Sequence, residues 1–203
     1  MPDPTGQPVM ARPAASLLLL RGDPGAPEVL MGMRGARHVF MPNRLVFPGG
    51  AVDAWDAEAD CATALSPGVL RRLEKAATPD LARALGIAAA RELEEETALT
   101  LGTPPALDGL DYLCRAITPE HAPIRFDARF FVVDAARVSG TLGGSGELDD
   151  LRWYGVAEAM ALDLAVPTRG VLNRLLEWIA LSEAERAARS TVPVMINRVW
   201  SIA

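Results

Sequence analysis

Hydrophobic and polar positions along the chain predict a hairpin near its start, followed by a short third strand. Residues 14–20 and 28–33 are apolar runs of strand character, separated by the turn sequence Gly-Asp-Pro-Gly at residues 22–25. A third extended piece, residues 44–47, leads into Pro48-Gly49-Gly50. Because glycine lacks a Cβ, two in a row permit a close approach that a side chain would prevent. The pattern therefore predicts a site lined by backbone directly after the third strand.

Helical patterns dominate the next part of the chain. Residues 66–76 and 78–99 each begin with a serine or threonine cap followed by a proline in the first turn. Later strand patterns lie at residues 128–133 and 151–154, and later helical patterns at residues 156–162 and 168–189. Strands and helices in this order predict an α/β (α+β) layered domain. Residues 1–13, with four prolines and no periodicity, are predicted to be a flexible leader to a single domain over residues 14–203.

Composition and charge narrow the class of partner. Of 203 residues, 50% are hydrophobic and 23% are charged, which is enough to bury a core and excludes global disorder. The net charge of −6 disfavours nucleic acid and anionic membranes as partners. We therefore expect the partner to be a small-molecule substrate, and the sequence leaves the oligomeric state open. Cys61 and Cys114 lack the number and spacing of a disulfide framework or a zinc site. With no apolar run long enough to span a membrane, we expect a cytoplasmic protein.

The segment richest in chemistry is Arg91-Glu92-Leu93-Glu94-Glu95-Glu96, inside the second helical pattern. At about 100° per residue, Glu92, Glu95 and Glu96 share one helix face, so three carboxylates are expected to converge. Like charges at this spacing destabilise a helix by about 0.2–0.5 kcal/mol per pair unless a cation lies on them. Carboxylate oxygens suit hard cations such as Mg²⁺ or Mn²⁺. The alternative is an ordinary solvated helix face.

This segment and the double glycine together resemble the Nudix box. That box reads Gly-x5-Glu-x7-Arg-Glu-U-x-Glu-Glu-x-Gly-U, where U is a bulky aliphatic residue. Gly50 and Asp56 match its first half, with aspartate in place of glutamate. The residues that match its second half are Arg91, Glu92, Leu93, Glu95, Glu96 and Leu99.

The chain departs from the box in two places. Residues 57–90 separate the two halves by 34 residues where the usual box has seven, so this chain carries 27 extra residues. We expect them to form a helical insertion that covers one rim of the site. The last glycine of the box is replaced by Ala98, and Gly102 is expected to stop the helix instead. Neither departure removes a metal ligand.

The resemblance implies a fold and an activity. The fold would be a Nudix-type α/β/α sandwich with a mixed sheet. The activity would be Mg²⁺- or Mn²⁺-dependent hydrolysis of the diphosphate bond in a nucleoside diphosphate linked to another moiety. Residues 34–43 and 124–131 resemble the branch of the peroxisomal coenzyme A diphosphatases, in which the box is also interrupted, and this implies CoA or acyl-CoA as substrate. The alternatives are a Nudix-fold sensor that binds a nucleotide without cleaving it, and an α/β interaction domain with an acidic helix.

The resemblance also implies roles for particular residues. The metal ligands would be Glu92, Glu95, Glu96 and the Gly50 carbonyl. Arg91 would orient a glutamate, and Glu92 is the first choice for general base, with Glu147 in a later loop as the second. The arginines that could clamp phosphates are Arg34, Arg37, Arg125 and Arg129. The apolar residues that could hold the arm of CoA are Met31, Met33, Phe40 and Met41.

Overall fold

The structure, a computed structural model, describes residues 9–35 and 42–203. Within these ranges the strands are β1 (Arg12–Arg21), β2 (Glu28–Arg34), β3 (Leu45–Val46), β4 (Gly49–Ala51), β5 (Leu99–Thr100), β6 (Asp111–Ile117), β7 (Phe126–Asp134), β8 (Ser139–Gly140), β9 (Leu148–Gly155), β10 (Pro193–Ile196) and β11 (Val199–Ile202). The helices are α1 (Pro67–Leu73), α2 (Pro79–Thr97), α3 (Val156–Ala161), α4 (Val166–Ala180) and α5 (Glu183–Ala188). No helix in this part of the chain is long and apolar enough to cross a membrane. The predicted mixture of strands and helices is confirmed.

One mixed sheet contains nine of these strands. Its main path runs β11-β10-β6-β7-β1-β2-β3, while β4 pairs with β1 and β9 pairs with β2. The β1–β2 pair is antiparallel, as the hairpin prediction required. The β1–β7 pair is parallel, from Arg12 opposite Phe126 to Leu20 opposite Asp134. Strand β1 therefore begins inside the segment predicted to be a leader.

Alternating side chains of β1 divide the core into two layers. Leu17 belongs to a buried cluster with Leu85 and Leu93 of α2, on one face of the sheet. Leu18, next in sequence, belongs to a second cluster with Leu172 of α4 on the other face, because neighbouring strand residues point to opposite sides. Helices thus cover both faces, which confirms the predicted α/β/α sandwich.

The 57–90 insertion is part of the core. Helix α2 is continuous from Pro79 to Thr97, so the end of the insertion and the acidic segment form one helix. Val69, Leu73 and Leu85 of the insertion are buried in the same cluster as Leu93. Helix α1 and the first part of α2 lie in the insertion and pack into the core, while its role as a rim of the site stays a prediction. The apolar face of the insertion's helices continues that of the box helix and buries against the same side of the sheet.

Helix α2 ends at Thr97, before the predicted stop at Gly102. Its cap is Ala98, which takes the left-handed conformation with a φ of 58°. The Thr97 hydroxyl donates to the Leu93 carbonyl at 2.6 Å and accepts from the Leu99 amide at 3.1 Å. The chain must turn at once so that the buried Leu99 can enter β5. An alanine therefore occupies the position that glycine usually fills.

Replacing Ala98 with glycine is expected to stabilise the fold. The substitution removes a left-handed strain of about 1 kcal/mol, partly offset by greater freedom of the unfolded chain, so the free energy of unfolding should rise by about 0.5 kcal/mol. Urea unfolding measures the change. The matched control is Ala187→Gly, an exposed position within α5, where glycine should cost about 0.5–1 kcal/mol. Destabilisation by both substitutions would contradict the left-handed cap.

Candidate active site

The candidate site lies where β4 runs beside the C-terminal half of α2. The Gly49 N–H donates to Glu96 Oε2 at 2.8 Å. A Cβ added at Gly50 would lie 2.2 Å from Glu92 Oε1. A Cβ at Gly50 would displace the Glu92 carboxylate, and a Cβ at Gly49 would meet the backbone of β1. The double glycine therefore does place backbone against the acids of the helix.

Arg91 holds the two halves of the box together across the insertion. Its guanidinium donates to Asp56 Oδ1 at 3.0 Å and to Asp56 Oδ2 at 3.1 Å. It also donates to Glu92 Oε1 at 2.9 Å, to Glu95 Oε2 at 3.0 Å and to the Ala51 carbonyl at 3.0 Å. The Asp56 side chain is fully buried. Arg91 therefore fixes the orientation of Glu92 while it neutralises a buried aspartate.

Burial changes the proton affinity of two of the acids. It raises the pKa of Glu96 to about 8. The Gly49 N–H and the charge of Arg34 lower this pKa, whereas the charges of Glu92 and Glu147 raise it further. Burial also raises the pKa of Glu92, although Arg91 opposes it. Both carboxyl groups would release their protons more readily beside a cation.

Without metal, the fold should lose stability as the pH rises from about 4.5 to 8. The unfolded Glu96 has a pKa of about 4.5, so between about pH 4.5 and 8 the folded protein binds more protons than the unfolded chain. The free energy of unfolding should therefore fall with rising pH, and Glu96→Gln should flatten the slope. Urea unfolding in EDTA from pH 5 to 8 tests this, with Glu94→Gln, on the exposed side of the helix, as control. Equal slopes in wild type and Glu96→Gln would contradict it.

The residue types at this site fit a hard divalent cation, but their side chains do not converge. Within residues 9–35 and 42–203, no group of three acidic, histidine or cysteine side chains is placed to hold a metal ion. Glu95 is 58% exposed and turns to Arg91, while Glu96 turns to the Gly49 N–H. The expectation that three carboxylates meet is therefore wrong for this conformation, because like charges separate and take the available donors. What fits is the donor chemistry: three carboxylates on about one turn of α2, beside a strand that only glycine permits.

Two of the four arginines predicted to clamp phosphates are Arg34, which lies near the acids, and Arg37. Arg34 lines a cavity of about 210 Å³ together with Gly49 and Gly50, and its charge lowers the pKa of Glu96. Its Nε is buried without a hydrogen-bond partner in the part of the chain that the structure describes. Arg37 lies outside the described residues. Arg34 is thus well placed for an anion beside the double glycine.

The other two predicted clamps are occupied with holding the backbone. Arg125 donates to the Val9 carbonyl at 2.6 Å and to the Thr118 carbonyl at 3.2 Å. The Arg129 side chain is only 2% exposed and pairs with Asp127 at 2.7 Å. It also donates to the Ala76 carbonyl at 3.0 Å, which ties the insertion to β7. The structure therefore does not place Arg125 and Arg129 as phosphate ligands, because carbonyl oxygens and an aspartate take up their donors.

Arg129→Met is expected to lower stability and leave turnover unchanged. The Ala76 carbonyl would lose its donor, at a cost of about 2 kcal/mol, while Asp127 would keep its bidentate pair with Arg115. Urea unfolding measures the stability loss, and kcat/KM on any hydrolysed diphosphate measures catalysis. Arg125→Met, at a less buried position, is the control and should cost under about 1 kcal/mol. Loss of kcat/KM in a folded Arg129→Met protein would restore a role in substrate binding.

Sequence reasoning missed Arg12 and misplaced the apolar groove. Arg12 lines the same cavity as Arg34, Gly49 and Gly50, because the β1–β7 pairing brings it beside the site. The sequence signal that could have indicated Arg12 is its position directly before the apolar run of β1. Met31 is fully buried in the core and cannot line an open groove. Phe40 and Met41 are outside the described residues, and Met33 packs against the second core cluster.

Comparison with known structures shows where this fold occurs elsewhere. A NUDIX hydrolase from Alicyclobacillus acidocaldarius is 25% identical, with a TM-score of 0.66 over 89% of this chain and 97% of that one. A MutT NUDIX hydrolase from Burkholderia pseudomallei is 19% identical, with a TM-score of 0.54 over 82% and 99%. The NUDIX domain of Shewanella oneidensis NrtR, solved with ADP ribose, is 17% identical, with a TM-score of 0.55 over 88% and 94%.

Comparisons with protein-family models and with curated proteins give no match. The similarities to solved structures show that the chain has the Nudix fold. The Alicyclobacillus hydrolase is similar to this chain along almost its whole length. This similarity supports a relationship to the Nudix hydrolases that goes beyond the fold.

Proposed function

We propose that this protein is a Mg²⁺- or Mn²⁺-dependent hydrolase that cleaves the diphosphate bond of a nucleoside diphosphate linked to another moiety. The observation that carries the proposal is the contact between the double glycine and α2. There Gly49 donates to Glu96, and Gly50 lets the Glu92 carboxylate lie where a Cβ would displace it. The similarity to Nudix hydrolases over most of the chain supports hydrolysis of this general kind.

Each residue has a task that its position suits. A divalent cation held by Glu92, Glu95 and Glu96 would neutralise the diphosphate and polarise the phosphorus under attack. Arg34 would bind phosphate oxygens from the side of the 210 Å³ cavity. Glu92, oriented by Arg91 and with a raised pKa, is the first candidate to accept the proton of the attacking water.

Glu147 is the second candidate for general base. Its charge raises the pKa of both Glu92 and Glu96, which indicates that it is near them, although it belongs to an exposed loop. A fall in kcat for Glu147→Gln with unchanged metal affinity would favour Glu147. Loss of activity confined to Glu92→Gln would favour Glu92.

The narrower proposal is that the substrate is CoA or an acyl-CoA. It is supported by the sequences at residues 34–43 and 124–131. The test is incubation with CoA, acyl-CoA, ADP-ribose, NADH, dinucleoside polyphosphates and nucleoside triphosphates plus Mg²⁺, with products identified by mass spectrometry. Cleavage of CoA should give 3′-phosphorylated AMP and phosphopantetheine. Faster cleavage of ADP-ribose would reject CoA, and no product from any diphosphate would reject hydrolysis.

The second candidate is a nucleotide sensor that does not hydrolyse its ligand. The observation in its favour is the outward turn of Glu95, which leaves the acids without a ready-made three-carboxylate cluster among the described residues. The same incubations distinguish the two functions. A sensor would be stabilised against heat by one of the nucleotides and would release no product with Mg²⁺ or Mn²⁺.

A further inference from the structure

Two cavities adjoin each other on the face of the sheet opposite α2. The near cavity, of about 210 Å³, is the one lined by Gly49, Gly50 and Arg34. The far cavity, of about 590 Å³, lies between β7, β10 and the start of α4. Both are lined by Ala128, Phe130 and Pro167. These shared walls make the far cavity an extension of the candidate active site.

Two arginines line the end of this space that is nearest the acids. Arg12 and Arg34 line the near cavity, and neither forms an ion pair with a described residue. In the far cavity, Arg44 is neutralised by Asp163 at 2.7 Å. His121 and Arg198 are the other titratable side chains on its wall.

The rest of the far cavity is mainly apolar. Its wall includes Ile117, Phe130, Val166 and Met195. The sugar hydroxyls and phosphates of a second nucleotide would lie partly against these apolar side chains, and burying a polar group without a hydrogen-bond partner costs free energy. An uncharged flexible chain would bury apolar surface instead, and its size would suit a cavity of this volume.

We infer that the two cavities form one groove for the second half of the substrate. Arg12 and Arg34 bind anionic oxygens beside the double glycine, and the far cavity takes a long, uncharged, mainly apolar arm attached to the diphosphate. This inference rests on the proposed function. It names the substrate class as diphosphates that carry such an arm, and it relocates the arm from the predicted methionine groove to β7, β10 and α4.

The test uses methyl, butyl and octyl monoesters of ADP, which differ only in the length of the arm. Affinity is measured by calorimetry in EDTA, so that it does not depend on hydrolysis, and kcat/KM is measured separately with Mg²⁺. The octyl ester should bind about tenfold more tightly than the methyl ester, or better. Equal affinities for the three esters would overturn the inference.

A charge placed in the far cavity should remove this advantage. Val166→Asp introduces it at the first residue of α4, at a side chain already 52% exposed, where a helix N-terminus tolerates an acid. The octyl advantage should fall by about fivefold, with methyl-ester affinity unchanged. Val199→Asp is the matched control, because Val199 is 68% exposed and lines neither cavity. Equal octyl affinity in the two variants would also overturn the inference.

The two readouts separate the groove from the hydrolase. Length-dependent affinity without any product would refute hydrolysis and support the groove. Hydrolysis of all three esters with equal kcat/KM and equal affinity would support the hydrolase and refute the groove.

Discussion

Glu96→Gln is expected to reduce kcat for diphosphate hydrolysis by about 10²-fold or more while the fold stays intact. The substitution keeps the shape of the side chain and an oxygen that can accept from the Gly49 N–H. It removes one negative charge from the proposed metal ligands, and charge at the ligands determines how strongly a hard cation is held. Because Glu96 is buried with a pKa raised to about 8, the metal-free variant should also melt at a higher temperature than wild type above pH 7.

The measurement is kcat with Mg²⁺ together with thermal melting in EDTA. Glu94→Gln is the control, because Glu94 lies on the same helix but is exposed and outside the matched positions of the box. Near wild-type kcat for Glu96→Gln would remove Glu96 from the metal site. A lower melting temperature in EDTA would show that its carboxylate is structural.

The two adjacent glycines should respond differently to the same substitution. In Gly50→Ala the new Cβ would meet the Glu92 carboxylate, 2.2 Å from Oε1, and the end of that side chain can move away. We expect a small loss of stability and a fall in kcat of about 10²-fold, since displacing a catalytic group by about 1 Å has an effect of this size. In Gly49→Ala the Cβ would lie 2.4 Å from the Ala15 carbonyl oxygen and 2.6 Å from Ser16 Cα. Backbone cannot yield as easily, so this variant should lose about 3 kcal/mol of stability.

Urea unfolding and kcat, measured on both variants, distinguish catalytic from structural roles. Gly25→Ala is the control, because nothing lies within 4 Å of a Cβ at that turn. Full activity in Gly50→Ala would mean that Glu92 is not needed in its present position. A stable Gly49→Ala would mean that β4 does not pack against β1 as described.

The pattern of neighbouring residues predicted those helices and strands that are specified by residues close together in sequence. The spacing of Glu92, Glu95 and Glu96 follows from the helix repeat, and the β1–β2 hairpin follows from its turn residues. The single helix predicted over residues 168–189 is two helices, α4 and α5. The break is signalled locally by Ser182 and Glu185, which form a capping box at the start of α5.

Long-range pairing could not be predicted from pattern. Strand β6 has no charged residue between Asp111, its first residue, and Arg115, and its parallel partner β10 is far away in sequence. Its first residue, Asp111, accepts from Trp178 Nε1 at 2.6 Å and pairs with Arg72 and with Arg189. These contacts join residues 39 to 78 positions apart. Arg129 illustrates the same limit, because an arginine on a strand looks alike in sequence whether it faces a ligand or a buried carbonyl.

The uninterrupted course of α2 has a consequence for how the protein opens. The same run of backbone hydrogen bonds joins the insertion to the helix that carries Glu92 and Glu96. Fluctuations that detach the insertion from the sheet would therefore also unfold the part of α2 that carries the acids. Segments of one helix that pack in one cluster open cooperatively. Activity would then be lost whenever the insertion detaches from the sheet. Packing at Leu73 and Leu85, which have no part in the proposed chemistry, would therefore contribute to the thermal tolerance of catalysis.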